Sequence, residues 1–388
     1  MKKIFSLLPI ELYVLVVPSI FIILLSTVWL KNFSLNAFGV GEFLASTLDR
    51  GTPFFLFGIL LLSLLPSLLI IGAIFRTVNK KSGERPIING FKNILSIFFV
   101  LFTISFAMYS LMMLTNALLQ LADPIKAAKF GNMAMHWDKA IFKTNPGVWL
   151  INKFSNTFVE TALIWTYNSL FIILSLILLI SFFTKKDVFR RLTLSFFICW
   201  MIAFPIWFSL PMMPPDFTFR QNKLGSASLE DNTAFNNFPM SENLKVALDS
   251  LSKIHIVKIS PTEKSLPVST FPSMHAAWGF IIAYMGTILC PWLGILLIPW
   301  AILNGFGAVY VLEHYSVDIF LGTAVAIFSI LLTEILLHIE KKYLKDKLGL
   351  LRIFDRVYIK SWIKDMLDNV AKISRMGIKA RQADQNKN

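Results

Sequence analysis

Residues 276–312 read AAWGFIIAYMGTILCPWLGILLIPWAILNGFGAVYVL, 37 positions without one Asp, Glu, Lys or Arg. A helix needs about 17–25 apolar residues to span a hydrocarbon core, so this stretch is too long for one ordinary crossing. Cys290-Pro291-Trp292 breaks it near the middle. Proline removes a backbone donor and clashes with the turn before it. The expected structure is a tight hairpin of two spans, about 274–290 and 293–312.

The same reading extends outward. Charge-free stretches run 12–30, 51–75, 93–122, 161–184 and 192–215, and an apolar segment at 316–339 carries Asp318 at its start and Glu334 near its end. Eight spans follow: about 10–30, 53–75, 94–121, 158–183, 192–212, 274–290, 293–312 and 316–339. The composition is 55% hydrophobic and 15% charged, against about 25% charged in a soluble domain. The predicted fold class is therefore all-α, a polytopic membrane helix bundle. The first apolar run is longer than a signal-peptide core and no small-residue cleavage site follows it, so it reads as a retained helix.

The net charge of +14 would suit nucleic acid, but its placement points to a membrane. Of 37 Lys and Arg, thirteen follow Ile339 and nine lie in 76–92 and 184–191. With eight spans these segments and Lys2-Lys3 fall on one side, which puts both termini in the cytoplasm. The segment 122–156 is an irregularity, since it carries five lysines yet falls outside. It reads as an amphipathic piece on the lipid surface, anchored by Trp137, Phe142 and Trp149. The polar loop 211–270 is also outside. Beyond residue 340, apolar residues recur at helical spacing against a Lys/Arg face, so the tail is expected to lie on anionic inner-leaflet lipids. The expected organisation is 1–92 as two spans with a basic loop, 93–340 as a six-helix core, and 341–388 as the tail. Cys199 and Cys290 read as buried thiols, with no disulfide framework or metal cluster.

Ionisable groups inside or beside spans are costly and point to function. His275 opens the first arm of the hairpin and His314 closes the second, so both return to one face. Asp318 follows His314 by four residues, and on a helix i and i+4 share a side. The carboxylate then holds one ring nitrogen and leaves the other more basic, the logic of an activated nucleophile. Ser273, in Phe271-Pro272-Ser273-Met274, offers a hydroxyl beside a helix N-terminus, where free N–H groups favour phosphate. Two histidines and one aspartate also suit zinc, so a metal site is the competing reading of the same three residues.

The motifs FPSMHAA at 271–277 and HYSVD at 314–318 resemble the second and third signatures of the type 2 phosphatidic acid phosphatase superfamily. The P-S-x-H-A-A form is most similar to its inositol phosphorylceramide synthase (aureobasidin-resistance) branch. WDKAIF…NPG at 137–147 and the proline-rich 210–215 are weaker signs of that branch. The resemblance covers roughly 135–340. It implies that His314 is the nucleophile forming a phosphohistidine, that Asp318 orients it and that His275 protonates the leaving oxygen. It requires no metal and no cofactor. Two features depart from the superfamily pattern. The Lys/Arg-Pro first signature is missing ahead of the 271 motif, and Arg85-Pro86 falls on the cytoplasmic side. Gly307-Ala308 stands where a Ser-Arg pair is expected. Arg220 and Lys264 are the nearest outside replacements for the missing phosphate-binding cations.

The resemblance implies transfer of a head-group phosphate, such as inositol phosphate from phosphatidylinositol, to a lipid or sugar hydroxyl. A lipid phosphatase or pyrophosphatase uses the same residues with water as acceptor. A transporter is the non-enzymatic rival. Transporters gather ionisable groups and broken helices near the midplane, whereas here the unusual groups collect at one end. The expected partners are membrane lipids rather than nucleic acid.

Overall fold

The computed structural model describes residues 123–219, 241–254 and 271–344, besides the single position Val14. The predicted spans at 10–30, 53–75 and 94–121, both Arg220 and Lys264, and the tail past residue 344 lie outside the described residues. Among those described, every regular element is a helix. They are α1 (Pro124–Phe142), α2 (Pro146–Phe154), α3 (Phe158–Asn168), α4 (Leu170–Thr184), α5 (Lys186–Ser209), α6 (Pro215–Phe219), α7 (Glu242–Ile254), α8 (Met274–Leu289), α9 (Pro291–Tyr310) and α10 (Ser316–Ile339).

Three helices are long and apolar enough to cross a membrane: α5, α9 and α10 with its extension to Lys342. The bent pair α3–α4 makes a fourth if it counts as one span. The chain is an integral membrane protein. Local chemistry sets the boundaries. Asp123 and Asn145 cap α1 and α2, each followed by a proline at the first helical position, where the missing N–H has no intrahelical partner to lose. Thr157 caps α3 by accepting from Glu160 N–H, and Glu160 reaches back to Asn156 N–H, closing both ends of a capping-box arrangement. The expected break at Cys290-Pro291 ends α8 and starts α9. Both cysteines are free thiols, Cys199 buried and Cys290 half-buried.

One expected span departs from a straight helix. The 158–183 segment bends by 52° between α3 and α4. Ser169 sits at the break, donating to Thr166 O and accepting from Trp300 Nε1 at 2.9 Å. Asn304 of α9 also donates to Thr166 O at 2.9 Å. The bend is thus held from α9, and Gly307 lets the two helices close up. A Cβ there would run into the Leu163 carbonyl of α3.

α8 is the central helix, packed against α4, α5, α9 and α10. Its buried face joins Trp278, Ile281, Ile282 and Met285 to a core that includes Phe196, Trp200 and Val325. A second core at one end of the bundle surrounds Tyr310, Leu312 and Tyr315, with Met135 of α1 and Ile151 of α2. α1 and α2 therefore pack onto the bundle. They still expose Trp137, Phe142 and Trp149 at 40%, 38% and 45%, as interfacial anchors would be. Ion pairs close the opposite end. Arg190 meets Glu340 and Arg191 meets Glu334, each at 2.7 Å.

Candidate active site

α9 ends in a turn whose backbone is fixed at several points. Glu313 N–H and His314 N–H both donate to Ala308 O, and Leu312 O accepts from Asp216 N–H at 2.9 Å. Leu312 itself has φ of 58°, a left-handed conformation that a bulky residue keeps only when its surroundings dictate it. The turn delivers His314 to the start of α10, where it is only 7% exposed.

The first turn of α10 is clamped by two carboxylates. Asp318 Oδ2 accepts from Tyr315 N–H at 3.0 Å. Asp138, from α1, accepts Ser316 N–H on one oxygen and Val317 N–H on the other, at 2.9 and 3.0 Å. Free N–H groups at a helix N-terminus are favourable partners for negative charge. Burial raises the Asp138 carboxyl from 3.8 to about 6, against the lowering effect of those two hydrogen bonds. Asp138 was visible in the sequence only as part of WDKAIF. Its partners lie 178 and 179 residues away, so no local pattern announces its role.

Asp318 Oδ2 lies 3.6 Å from His314 Nδ1. The expected pairing is present as a close electrostatic contact, longer than a hydrogen bond. The reason is local: His314 precedes the helix, and Asp318 Oδ2 is already engaged by the Tyr315 N–H.

His275 arrives by a different route. Ser273 caps α8 by accepting from Ala276 N–H at 3.3 Å and is fully buried. Its own N–H donates to Asp318 O at 3.1 Å, tying the start of α8 to the first turn of α10. Trp207 Nε1 of α5 holds Pro272 O at 3.2 Å. Gly322 makes the approach possible, because a Cβ there would clash with the Ser273 carbonyl. The His275 ring stacks on Tyr167 of α3 with centroids 4.3 Å apart, and lies 5.7 Å from the His314 ring. Sequence reasoning missed Tyr167, which carries no motif of its own.

The structure therefore brings His275, His314, Asp318 and Ser273 together at one end of the bundle, opposite the Arg190 and Arg191 ion pairs. Two imidazoles at this separation can address one phosphoryl group from two sides, one as nucleophile and one as proton donor. Gly307 is packed against α3 and Ala308 is fully buried, so a long cationic side chain has no space at either position.

Residues 135–332 match the family described as the PAP2 superfamily. The chain belongs to the PAP2 superfamily. Both histidine motifs and Asp138 fall inside the matched segment. No curated protein and no solved structure matches the chain. PAP2 proteins are generally phosphatases or phosphotransferases, and this one is an enzyme of that kind.

Proposed function

We propose that the protein is a membrane phosphotransferase. It moves a phosphorylated head group, such as inositol phosphate from phosphatidylinositol, onto a lipid or sugar hydroxyl. The observation that carries this is the pair of imidazoles 5.7 Å apart, with the Asp318 carboxylate 3.6 Å from one of them. His314 attacks phosphorus and forms a P–N bond while the P–O bond to the leaving group breaks. His275 gives its proton to that oxygen. The acceptor hydroxyl then returns its proton to His275 and takes the phosphoryl group, releasing His314. Asp318 orients His314 and balances the charge that develops on its ring.

Burial supports transfer over hydrolysis. His314 is 7% exposed, and a phosphohistidine kept from water lasts until a positioned acceptor arrives. Hydrolysis, the reaction with water as acceptor, is the runner-up. In the proposed topology eight spans enclose a six-helix core and both termini are cytoplasmic. The active site then faces the outer leaflet, because the basic segment 184–191 sits at the opposite end of α5. The tail rests on anionic inner-leaflet lipids. Arg220 and Lys264 are proposed to supply the positive charge that Gly307-Ala308 does not.

Purified protein supplied with phosphatidylinositol, labelled in the head group, tests the reading. Head-group phosphate on a lipid or sugar acceptor is expected. Release only as free inositol phosphate marks a hydrolase, and turnover that survives His314→Ala contradicts both.

A further inference from the structure

A slot of about 1120 Å³ runs along the outer face of the bundle between α9 and α10, floored by α8. We propose that it holds a hydrocarbon chain of the lipid whose head group reacts at His314; this rests on the phosphotransferase reading. The slot begins beside the catalytic residues. Ala276 of its floor follows His275, and Ser316 of its wall is the residue whose N–H Asp138 holds. Its mouth lies under Phe142 and Trp149, with Phe142 stacked on Phe320 at 6.2 Å.

From Ala276 to Thr287 the floor runs eleven residues, about 16 Å at 1.5 Å per residue. That is about half of a ~30 Å hydrocarbon core, the depth of one leaflet. The width comes from small side chains, including Ala283, Ala301, Gly305 and Ala324. Two threonines deep in the slot are satisfied within their own helices. Thr287 donates to Ala283 O and Thr323 to Ile319 O, at 2.8 and 2.9 Å. Their hydroxyls need no partner from an occupant, which suits a hydrocarbon chain.

The test uses the full chain in nanodiscs with phosphatidylinositol bearing a diazirine at the end of one palmitoyl chain. A polyprenyl phosphate with the same photoreactive group forms the second arm. Labelling of the α8, α9 and α10 slot peptides is expected, and the lipid that labels more strongly identifies the source of the chain. Ala324→Trp should lower slot labelling and long-chain kcat/KM by about tenfold or more, a loss of about 1.4 kcal/mol of binding, and lower short-chain kcat/KM by a smaller factor. Ala324→Leu repeats the comparison with less bulk should the tryptophan variant not fold. Label spread evenly over the outer faces of α4 and α5 overturns the proposal. So does crosslinking of a photoreactive residue at Ile327 to residues 12–122, which would place the chain's own spans in the slot. Slot labelling without turnover of either lipid contradicts the phosphotransfer reading alone, whereas turnover with labelling elsewhere overturns the slot alone.

Discussion

His314 owes its position to a turn that its own side chain does not stabilise. Its backbone N–H and that of Glu313 share the Ala308 carbonyl, and the strained Leu312 sits two residues earlier. Replacing the imidazole should therefore leave the fold intact and remove the nucleophile. His314→Ala is expected to abolish turnover with an unchanged thermal midpoint, while His275→Ala slows it by about 10²–10⁴-fold. Asp138 yields a prediction in pH. Its carboxyl is pushed up to about 6 from 3.8 by burial, so the folded protein keeps a proton that the unfolded chain has released. The stabilisation from this group is complete below about pH 4 and is lost as pH rises through about 6. Asp138→Asn does not titrate. Its thermal midpoint in detergent should fall less than the wild type's between about pH 5 and pH 7, and an equal fall in both would contradict the assignment. His275, His314 and Asp318 were legible in the sequence because each lies in a short motif at the end of an apolar run. Asp138 and Tyr167 were not, because what defines them is contact across long sequence separations.

At the scale of elements, the break at Cys290-Pro291 and the limits of α10 could be read directly, since proline and charge mark them. The bend at Ser169 could not. The stretch 161–184 is continuously apolar, and the groups that stabilise the bend, Trp300 and Asn304, belong to α9. The contact between α8 and α10 is the element-level feature on which the site depends. Gly322→Ala puts a Cβ against the Ser273 carbonyl, a backbone atom that moves only with the start of α8. It should cost about 1–3 kcal/mol and lower turnover together with stability. Ser273→Ala removes the cap alone and should cost about 0.5–2 kcal/mol. The two are compared by thermal midpoint and kcat. A Gly322→Ala enzyme with wild-type turnover would show that the close approach does not set the spacing of the histidines.

Across the whole molecule, the two ends of the bundle do different work. The end that carries His275 and His314 is held by carboxylates on backbone N–H groups, and the other by arginines on glutamates. Arg190 and Glu340 are both buried in that pair, so Arg190→Ala leaves an uncompensated carboxylate and is expected to cost about 3–5 kcal/mol. The double change Arg190→Met with Glu340→Leu should recover most of that loss, because it removes both charges together. Denaturation of the purified protein checks both variants. Composition and charge-free stretches revealed the membrane class at once. They could not reveal how α1 and α2 pack onto the bundle, since an amphipathic segment looks the same whether it floats on lipid or covers other helices.

The central claim is that His314 carries phosphorus during turnover. The most direct test mixes purified protein with a phosphorus-labelled lipid donor, quenches in base and maps the adduct by mass spectrometry. The account predicts a base-stable, acid-labile adduct on the peptide containing His314, absent from His314→Ala. Turnover by the wild type with no histidine adduct, or an adduct that persists in His314→Ala, would contradict it.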